Sequence, residues 1–343
     1  MTEAERLCQL LGGASRTFAL TIPMLPPPLE KIVTLGYLLL RIADTIEDAY
    51  HWPKEQRLKM LEEFVVVLQQ PANHLQAKKF AESFKGGSHG FENAGHLEVL
   101  RQTPFIMEQF NRLPVGDISV ITEHITRTIR EMQYWLGQHD KHNCLNLQQL
   151  KQLTDYCYSA AGIVGEMLTT LFSSHSPYIT KEQLHYLRTL EVGYATGLQL
   201  TNIIKDSFRD HIEGRHYIPQ EYLPFSPNAN PDKIIPIFVF AYRHLIQGIG
   251  YVMWLPLEEI GIRKFCLVPI VLAGATLEHL FKNREELYSG EDVKISREEA
   301  SALLQQVDQV INNNEQIIQL WEQLTETLNS TSTKSTVMKP YLI

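Results

Sequence analysis

Long apolar runs, paired cysteines, an excess of base and strand-type alternation are all scarce in this chain of 343 residues. The longest apolar stretches, such as Phe265 to Ala275, fall short of the about 20 residues that cross a bilayer, so no spanning helix is predicted. The four cysteines, Cys8, Cys144, Cys157 and Cys266, show no CxxC spacing and no disulfide framework. Free buried thiols in a reducing cytosol are the expectation. Acidic residues outnumber basic ones by 39 to 31, for a net charge of −8, and no basic stripe runs against that balance. Nucleic acid is thereby excluded as a partner. The 13 histidines lack HExxH or any other ligand spacing, and no P-loop, GxSxG or strand-linked glycine turn is present. Met1 to Arg6 opens with acids instead of the basic and then apolar pattern of a signal peptide. A soluble cytoplasmic protein, at most peripheral to a membrane, is expected.

What is abundant is helical periodicity. With 44% hydrophobic and 20% charged residues the chain has material for a core and too little charge for disorder. Apolar residues recur at three- and four-residue steps over 55–69, 119–136, 147–171, 181–204, 237–246, 267–281 and 297–328. Prolines fall mainly between these segments, as in Pro26-Pro27-Pro28 and the group from Pro219 to Pro236. Pro269 is the exception and is predicted to start or kink a helix. Residues 86–95 read as a surface loop. The polar residues after Leu328 predict fraying. With no repeat and no linker, one all-α domain over residues 1–330 is expected, followed by a frayed tail over 331–343.

Charge on these apolar helices is concentrated in two places. The run Leu35 to Ala43 ends in Asp44-Thr45-Ile46-Glu47-Asp48, and Leu198 to Lys205 leads into Asp206-Ser207-Phe208-Arg209-Asp210. Carboxylates on an apolar helix are costly to bury unless they are paired or meet a cation. Helical geometry aligns them. Tyr37, Arg41, Asp44 and Asp48 lie at i, i+4, i+7 and i+11 with Glu47 flanking, and Gln199, Asn202, Asp206 and Asp210 lie at i, i+3, i+7 and i+11. Mg²⁺ prefers oxygen ligands and is typically held by one or two carboxylates together with phosphate oxygens. Two such walls facing one cavity would hold a diphosphate through bridging metal. The plain alternative, a solvated acidic face or an Arg41–Asp44 ion pair, suits either cluster alone. The doubled pattern weighs toward metal, and spacing by itself leaves both open.

A third segment, Asp155 to Met167, has helical period yet contains Gly162 and Gly165, each costing roughly 1 kcal/mol against alanine. Either two helices pack closely there, or small residues make room for a long apolar ligand. Tyr156 and Ala160 lie one turn apart, so the phenol would look into that space as a general acid or base. Arg16, Arg41, Lys205 and Arg215 are the basic groups near these motifs that would meet phosphate. Each alone is more often a surface or ion-paired residue.

Taken in order, these motifs resemble the squalene/phytoene synthase family of head-to-head prenyl transferases. The carriers are Ser15-Arg16-Thr17-Phe18, Tyr37 through Asp48, Tyr156-Cys157 with Ala161-Gly162-Ile163-Val164-Gly165, and Gln199 through Asp210 with Gly214-Arg215 and Pro219. Phe265-Cys266-Leu267-Val268-Pro269 and Val293-Lys294-Ile295 extend the likeness over most of the chain. The DTxED and TNIIxD forms favour the squalene-forming branch over the phytoene-forming one.

The resemblance implies an all-α isoprenoid-synthase fold around a central cavity. It implies a Mg²⁺-dependent transferase that condenses two farnesyl diphosphates to presqualene diphosphate, which is rearranged and reduced by NADPH to squalene. On that basis Asp44, Glu47, Asp48, Asp206 and Asp210 bind metal and diphosphate. Ser15, Arg16, Phe18, Tyr37, Arg41, Gln199, Asn202 and Arg215 hold the substrates, Tyr156 transfers the proton, and Phe265, Cys266 and Pro269 line the apolar cavity. Lys205, Lys294 and Arg297 are the expected NADPH contacts, with Ser296 standing where the family often has a further base. An enzyme that omits the reductive step (a presqualene diphosphate, dehydrosqualene or phytoene synthase) is one alternative. A non-catalytic assembly or lipid-binding factor is the other. The membrane-anchoring C-terminal helix of eukaryotic members is missing from the sequence, which suggests a soluble, bacterial-type monomer that touches a membrane only to release product.

Overall fold

Helices form where the apolar period predicts them. The structure is a computed structural model that describes residues 1–85, 90–91, 93–140, 144–226, 229–288 and 295–334, Arg16 and Lys334 by their backbone alone. Its helices are α1 Glu3–Ala14, α2 Arg16–Thr21, α3 Leu29–Glu47, α4 Lys54–Gln69, α5 His74–Glu82, α6 Ala94–Arg101, α7 Thr103–Phe110 and α8 Val115–Gly137. They continue with α9 Leu150–Cys157, α10 Ile163–His175, α11 Lys181–Ile212, α12 Ile235–Trp254, α13 Ile260–Lys282, α14 Arg297–Val310, α15 Asn314–Leu324 and α16 Glu326–Lys334. Among the described residues the only β pairing is an isolated parallel bridge between Asn146 and His216.

The chain divides into two compact units. One comprises Met1–Gln138 with Thr170–His175, the other His139–Thr169 with the described residues from Ser176 onward. In the first unit α3 is the core helix, packed against α1, α4, α6, α7 and α8. Its residues Ile32, Leu35, Leu38, Leu39, Ile42, Ala43 and Ile46 are fully enclosed. In the second unit α11 and α12 form the most extensive helix pair, with α13 against both. The glycines of the third motif serve the packing of their own segment against α11. A Cβ on Gly165 would lie 2.5 Å from the main-chain oxygen of Glu191 on α11, and one on Gly162 would lie 2.7 Å from the Tyr158 ring. Close approach, not vacant room, is what these two positions provide.

Several boundaries differ from the sequence expectation for local reasons. The segment 147–171 is broken by a π-helical turn at Tyr158–Gly162, between α9 and α10. Residues 297–328 fall in three helices, and the first break is made by Asn313, which turns its side chain onto the N–H groups of Glu315 and Gln316 and starts α15 afresh. Of the polar tail predicted to fray, residues up to Lys334 continue α16, whose start is held by the backbone N–H groups of Thr327 and Leu328 donating to the buried Glu278 carboxylate at 3.0 Å each, and residues 335–343 lie outside the described residues. Pro269 neither starts nor ends a helix and sits inside α13. Of the loop read at 86–95, residues 86–89 and 92 lie outside the described residues, and Ala94 and Gly95 already belong to α6.

Two stretches, Pro231–Trp254 and Ile260–Lys282, are long and apolar enough to cross a membrane, contrary to the reading of apolar runs. Of the most apolar 18 residues in each, 67% and 72% are buried within the protein, as in core helices of a globular unit. The cysteines are free. Cys157 and Cys266 are buried, and that burial pushes both thiols up; Cys8, expected inside, is exposed.

Candidate active site

In the first unit the polar stripe on α3 is built as its spacing requires. From Ile32 onward only Tyr37, Arg41, Asp44 and Glu47 of α3 escape full burial, and Asp48 caps the helix in the open. The Tyr37 hydroxyl donates to the Ala14 carbonyl at 3.2 Å and accepts from Arg41 Nη2 at 2.9 Å. Arg41 Nη1 stands 3.6 Å from Asp44 Oδ2. The Phe18 ring lies 5.1 Å from that of Tyr37. Ser15 has a structural task as well, because its Oγ accepts from the Phe18 N–H at 3.0 Å and caps α2. The Arg16 side chain lies outside the described residues.

Electrostatically this end of α3 is short of cation. A helix C-terminus carries about half a negative charge, and acids are favoured at the opposite end. Here three carboxylates share the last turn and its cap with no basic residue in that turn. Burial, then repulsion from Asp48 and Asp44, holds Glu47 well above the usual carboxylate range, with Arg57 opposing. Burial likewise raises Asp44 against the pull of Arg41, although 35% of its side chain stays open to solvent.

Two neighbours of this cluster carry no signal in the sequence. Arg57 on α4 is fully buried and donates from Nη1 to the Glu47 carbonyl at 2.6 Å. His96 on α6 places Nε2 3.3 Å from the same Ala14 carbonyl that Tyr37 binds, and burial followed by Arg41 lowers its pKa. His96 stands 82 residues from Ala14, so no local pattern could have found it.

In the second unit α11 runs past the predicted boundary and carries the whole second motif to Ile212. Gln199, Asp206 and Asp210 are half-buried, and Asn202 is exposed. Lys205 Nζ lies 3.4 Å from both Asn202 Oδ1 and Asp206 Oδ2. Beyond the helix, Gly214 adopts φ +82°, a left-handed conformation that favours glycine, and the chain turns back. That turn directs Arg215 Nη2 onto Asp210 Oδ1 at 2.7 Å. Burial raises Asp210 and Arg215 opposes it. Arg215, read as a phosphate ligand, is thus in the first place the partner of two carboxylates, Asp210 and, 2.5 Å from the same Nη2, Glu213.

The same turn delivers Tyr156 its neighbour. His216 pairs with the 145–147 segment (its N–H to Leu145 O at 2.9 Å, its carbonyl from Leu147 N at 2.8 Å), and Tyr217 then lies with its ring 4.8 Å from that of Tyr156. Tyr156 is half-buried two residues before the π-helical turn. Ser207, Asp210, Arg215 and Tyr217 border a cavity of about 10 Å³, room for one water, into which the buried Ser207 hydroxyl opens without a protein partner. The structure therefore brings Asp210, Arg215, Tyr217 and Tyr156 together through one chain reversal.

Phe265 and Cys266 are buried on α13, where the Cys266 carbonyl accepts from the Tyr194 hydroxyl at 3.4 Å, and Pro269 is buried beside them. The expected NADPH contacts are less developed. Lys294 lies outside the described residues, Arg297 is exposed in the first turn of α14, and Ser296 accepts from the Glu299 N–H at 3.0 Å as the cap of that helix. Among the described residues no three His, Cys, Asp or Glu side chains converge to hold an ion by themselves.

Comparison with known proteins agrees with the motifs. The squalene/phytoene synthase family model matches residues 11–234. The chain is 31% identical over 306 residues to the squalene synthase of Saccharomyces cerevisiae, covering 84% of this chain and 64% of that protein. It is 26% identical over 313 residues to the squalene synthase of Schizosaccharomyces pombe, covering 88% and 64%. The chain thus spans less than two thirds of the length of these relatives. Among solved structures, the complex of TcSQS with the ligand BPH1237 has the same fold, with a TM-score of 0.74, 21% identity and coverage of 96% of this chain and 99% of that one. The all-α reading is borne out in that likeness. With its family model matched across both acidic motifs and Tyr156, this chain belongs to the squalene/phytoene synthase family.

Proposed function

We propose that this chain is a farnesyl-diphosphate farnesyltransferase of the squalene-synthase type. Two farnesyl diphosphates condense to presqualene diphosphate, which is rearranged and reduced with NADPH to squalene. The observation that carries this reading is a doubled construction: α3 and α11 each end a buried length in a carboxylate stripe with an arginine against it. The relatives named above are squalene synthases, which supports the product.

The donor set fits Mg²⁺. It is made of oxygens, it sits at helix C-termini, and Asp44 and Glu47 at α3 are raised in pKa, as carboxylates awaiting a cation are. Asp44, Glu47 and Asp48 in the first unit, and Asp206 and Asp210 in the second, would each hold Mg²⁺, which when bound supplies charge neutralisation of the departing diphosphate. Arg41 and Arg215 orient phosphate oxygens, with Ser15, Arg16, Gln199 and Asn202 completing the polar contacts. The faces of Phe18 and Tyr37 stabilise an allylic cation by roughly 0.5–2 kcal/mol each. Tyr156 moves the proton of the first half-reaction from a ring steadied by Tyr217. Phe265, Cys266 and Pro269 exclude water from the prenyl chains, and the apolar product gives the protein reason to touch a membrane surface.

A second reading, an enzyme that stops before reduction, is favoured by one observation: Ser296 is engaged as a helix cap where the family often has a base. Incubation with farnesyl diphosphate and Mg²⁺, with and without NADPH, separates the two. Squalene formed only with NADPH supports the proposal, and identical products under both conditions overturn it. Unchanged product formation in Asp44→Asn and Asp206→Asn would refute the metal assignment and leave the non-catalytic alternative.

A further inference from the structure

Arg57 and Arg263 are each 0% exposed. Arg263 braces the second unit, donating to the carbonyls of Val252, Leu255 and Ile311 at 2.8, 2.7 and 3.1 Å and to Asn314 Oδ1 at 2.6 Å. Arg57 occupies a different kind of place. Its guanidinium lies 5.0 Å from the centroid of the Tyr50 ring, and Nη1 reaches the Glu47 carbonyl. That carbonyl belongs to the last residue of α3, between Asp44 and Asp48.

Burying a guanidinium costs free energy that must be offset by compensating charge and hydrogen bonds. At this position the offset comes from the α3 terminus, where the helix dipole and three carboxylates add negative charge of one sign. Arg57 comes from another helix to a terminus whose own last turn has no base. It also ties down a terminal carbonyl that the helix itself cannot satisfy. The second acidic helix has a parallel device, since Arg215 follows Asp210 and donates to its carboxylate directly. A peptide held at Glu47 keeps the flanking side chains in register, whereas a frayed last turn would let each carboxylate move independently.

We propose that Arg57 is a positioning residue for the first acidic cluster, holding the peptide at Glu47 so that Asp44, Glu47 and Asp48 offer their oxygens together to a divalent cation. The proposal rests on the metal-dependent reading above. Arg57 itself touches neither substrate nor metal.

The test is Mn²⁺ binding followed by electron paramagnetic resonance in the presence of inorganic pyrophosphate. It is run on the whole chain below the melting midpoint of every variant. Arg57→Gln keeps a donor and removes the charge; Arg57→Lys keeps the charge. Arg57→Gln should weaken Mn²⁺ binding by about tenfold or more, Arg57→Lys should recover most of that, and the buried control Arg263→Met should lower the melting midpoint while changing Mn²⁺ affinity by less than about twofold. Wild-type affinity in Arg57→Gln overturns the proposal. So does an equal loss in Arg263→Met, because burial alone would then explain it. Should Arg57→Gln fail to fold, Tyr50→Leu loosens the same guanidinium, and unchanged Mn²⁺ affinity in both Tyr50→Leu and Arg57→Lys overturns the proposal. Asp44→Asn keeps the two levels apart. If it leaves Mn²⁺ binding intact, the metal reading has failed. If it abolishes binding while the Arg57 variants bind like wild type, only the role of Arg57 falls.

Discussion

Arg215→Met removes the cation facing Asp210, and its cost can be worked from the ion pair. The two charged atoms are 2.7 Å apart, and the side chains are 11% and 13% exposed. At an effective dielectric constant near 20, unit charges about 4 Å apart attract by roughly 4 kcal/mol. Desolvation offsets much of that when the pair forms. Removing the arginine alone does not return the carboxylate to water, and such a loss costs about 3–5 kcal/mol for a buried pair. Because about a tenth of each side chain is open, the low end, about 3 kcal/mol, is expected at neutral pH. Asp210→Asn/Arg215→Met removes both charges of this pair, leaves Glu213 (which Arg215 also meets, at 2.5 Å) 37% exposed and still held by Arg209 at 2.9 Å, and should recover about 2 kcal/mol of the cost. Urea denaturation of the wild type, both single variants and the double variant, followed by circular dichroism, measures the cycle. The pH dependence has a definite sign. Burial already raises Asp210 against the pull of Arg215, so without Arg215 its folded pKa rises further and the folded state binds more protons than the unfolded one. The cost of Arg215→Met therefore shrinks as pH falls. A cost below about 1 kcal/mol at neutral pH, or a double variant no more stable than Arg215→Met, refutes this reasoning.

Arg263→Met leaves four acceptors of the second unit without their donor and should cost about 3–5 kcal/mol by the same denaturation assay, with product formation retained under conditions where the protein is folded. Gly165→Ala places a Cβ against the Glu191 carbonyl, which as main chain cannot swing away, and should lower stability by about 1–3 kcal/mol. Burial lowers the pKa of His244 below 6.5, so the folded state binds fewer protons than the unfolded one, and stability should fall as pH drops from 6.5 toward the depressed value. His244→Asn should flatten that part of the stability profile, and an unchanged slope counts against it. Tyr156→Phe should reduce presqualene diphosphate formation by about a hundredfold or more with stability nearly unchanged, as loss of a proton-transferring group does; near wild-type turnover would exclude the phenol from the chemistry.

The helical class and the two polar stripes were legible without coordinates because both follow from a local rule. Each residue of a helix turns by about 100°, so Tyr37, Arg41 and Asp44 share a face whatever packs around them. The apolar remainder of α3 then determines that this face is the one left outside the core. Where helices start was less legible. Asn313 and Ser296 act by turning a side chain onto nearby N–H groups, and residues of the same type lie elsewhere in the chain without doing so. Pro269, expected to start or kink a helix, stands inside α13, where tertiary packing of an apolar helix outweighs the hydrogen bond that proline removes.

Hence composition and periodicity by themselves determined an all-α chain with two carboxylate-bearing faces and a tyrosine on a glycine-containing helix. Only the tertiary structure decided what stands beside those groups. Arg57 reaches Glu47 from the next helix, His96 meets the Ala14 carbonyl across 82 residues, and Tyr217 is carried to Tyr156 by the turn at Gly214. The physical reason is the range of the forces. A stripe is set by backbone geometry within a few turns, whereas a partner arrives through packing between segments that are distant in sequence, and no repeat distance records where that packing will bring them.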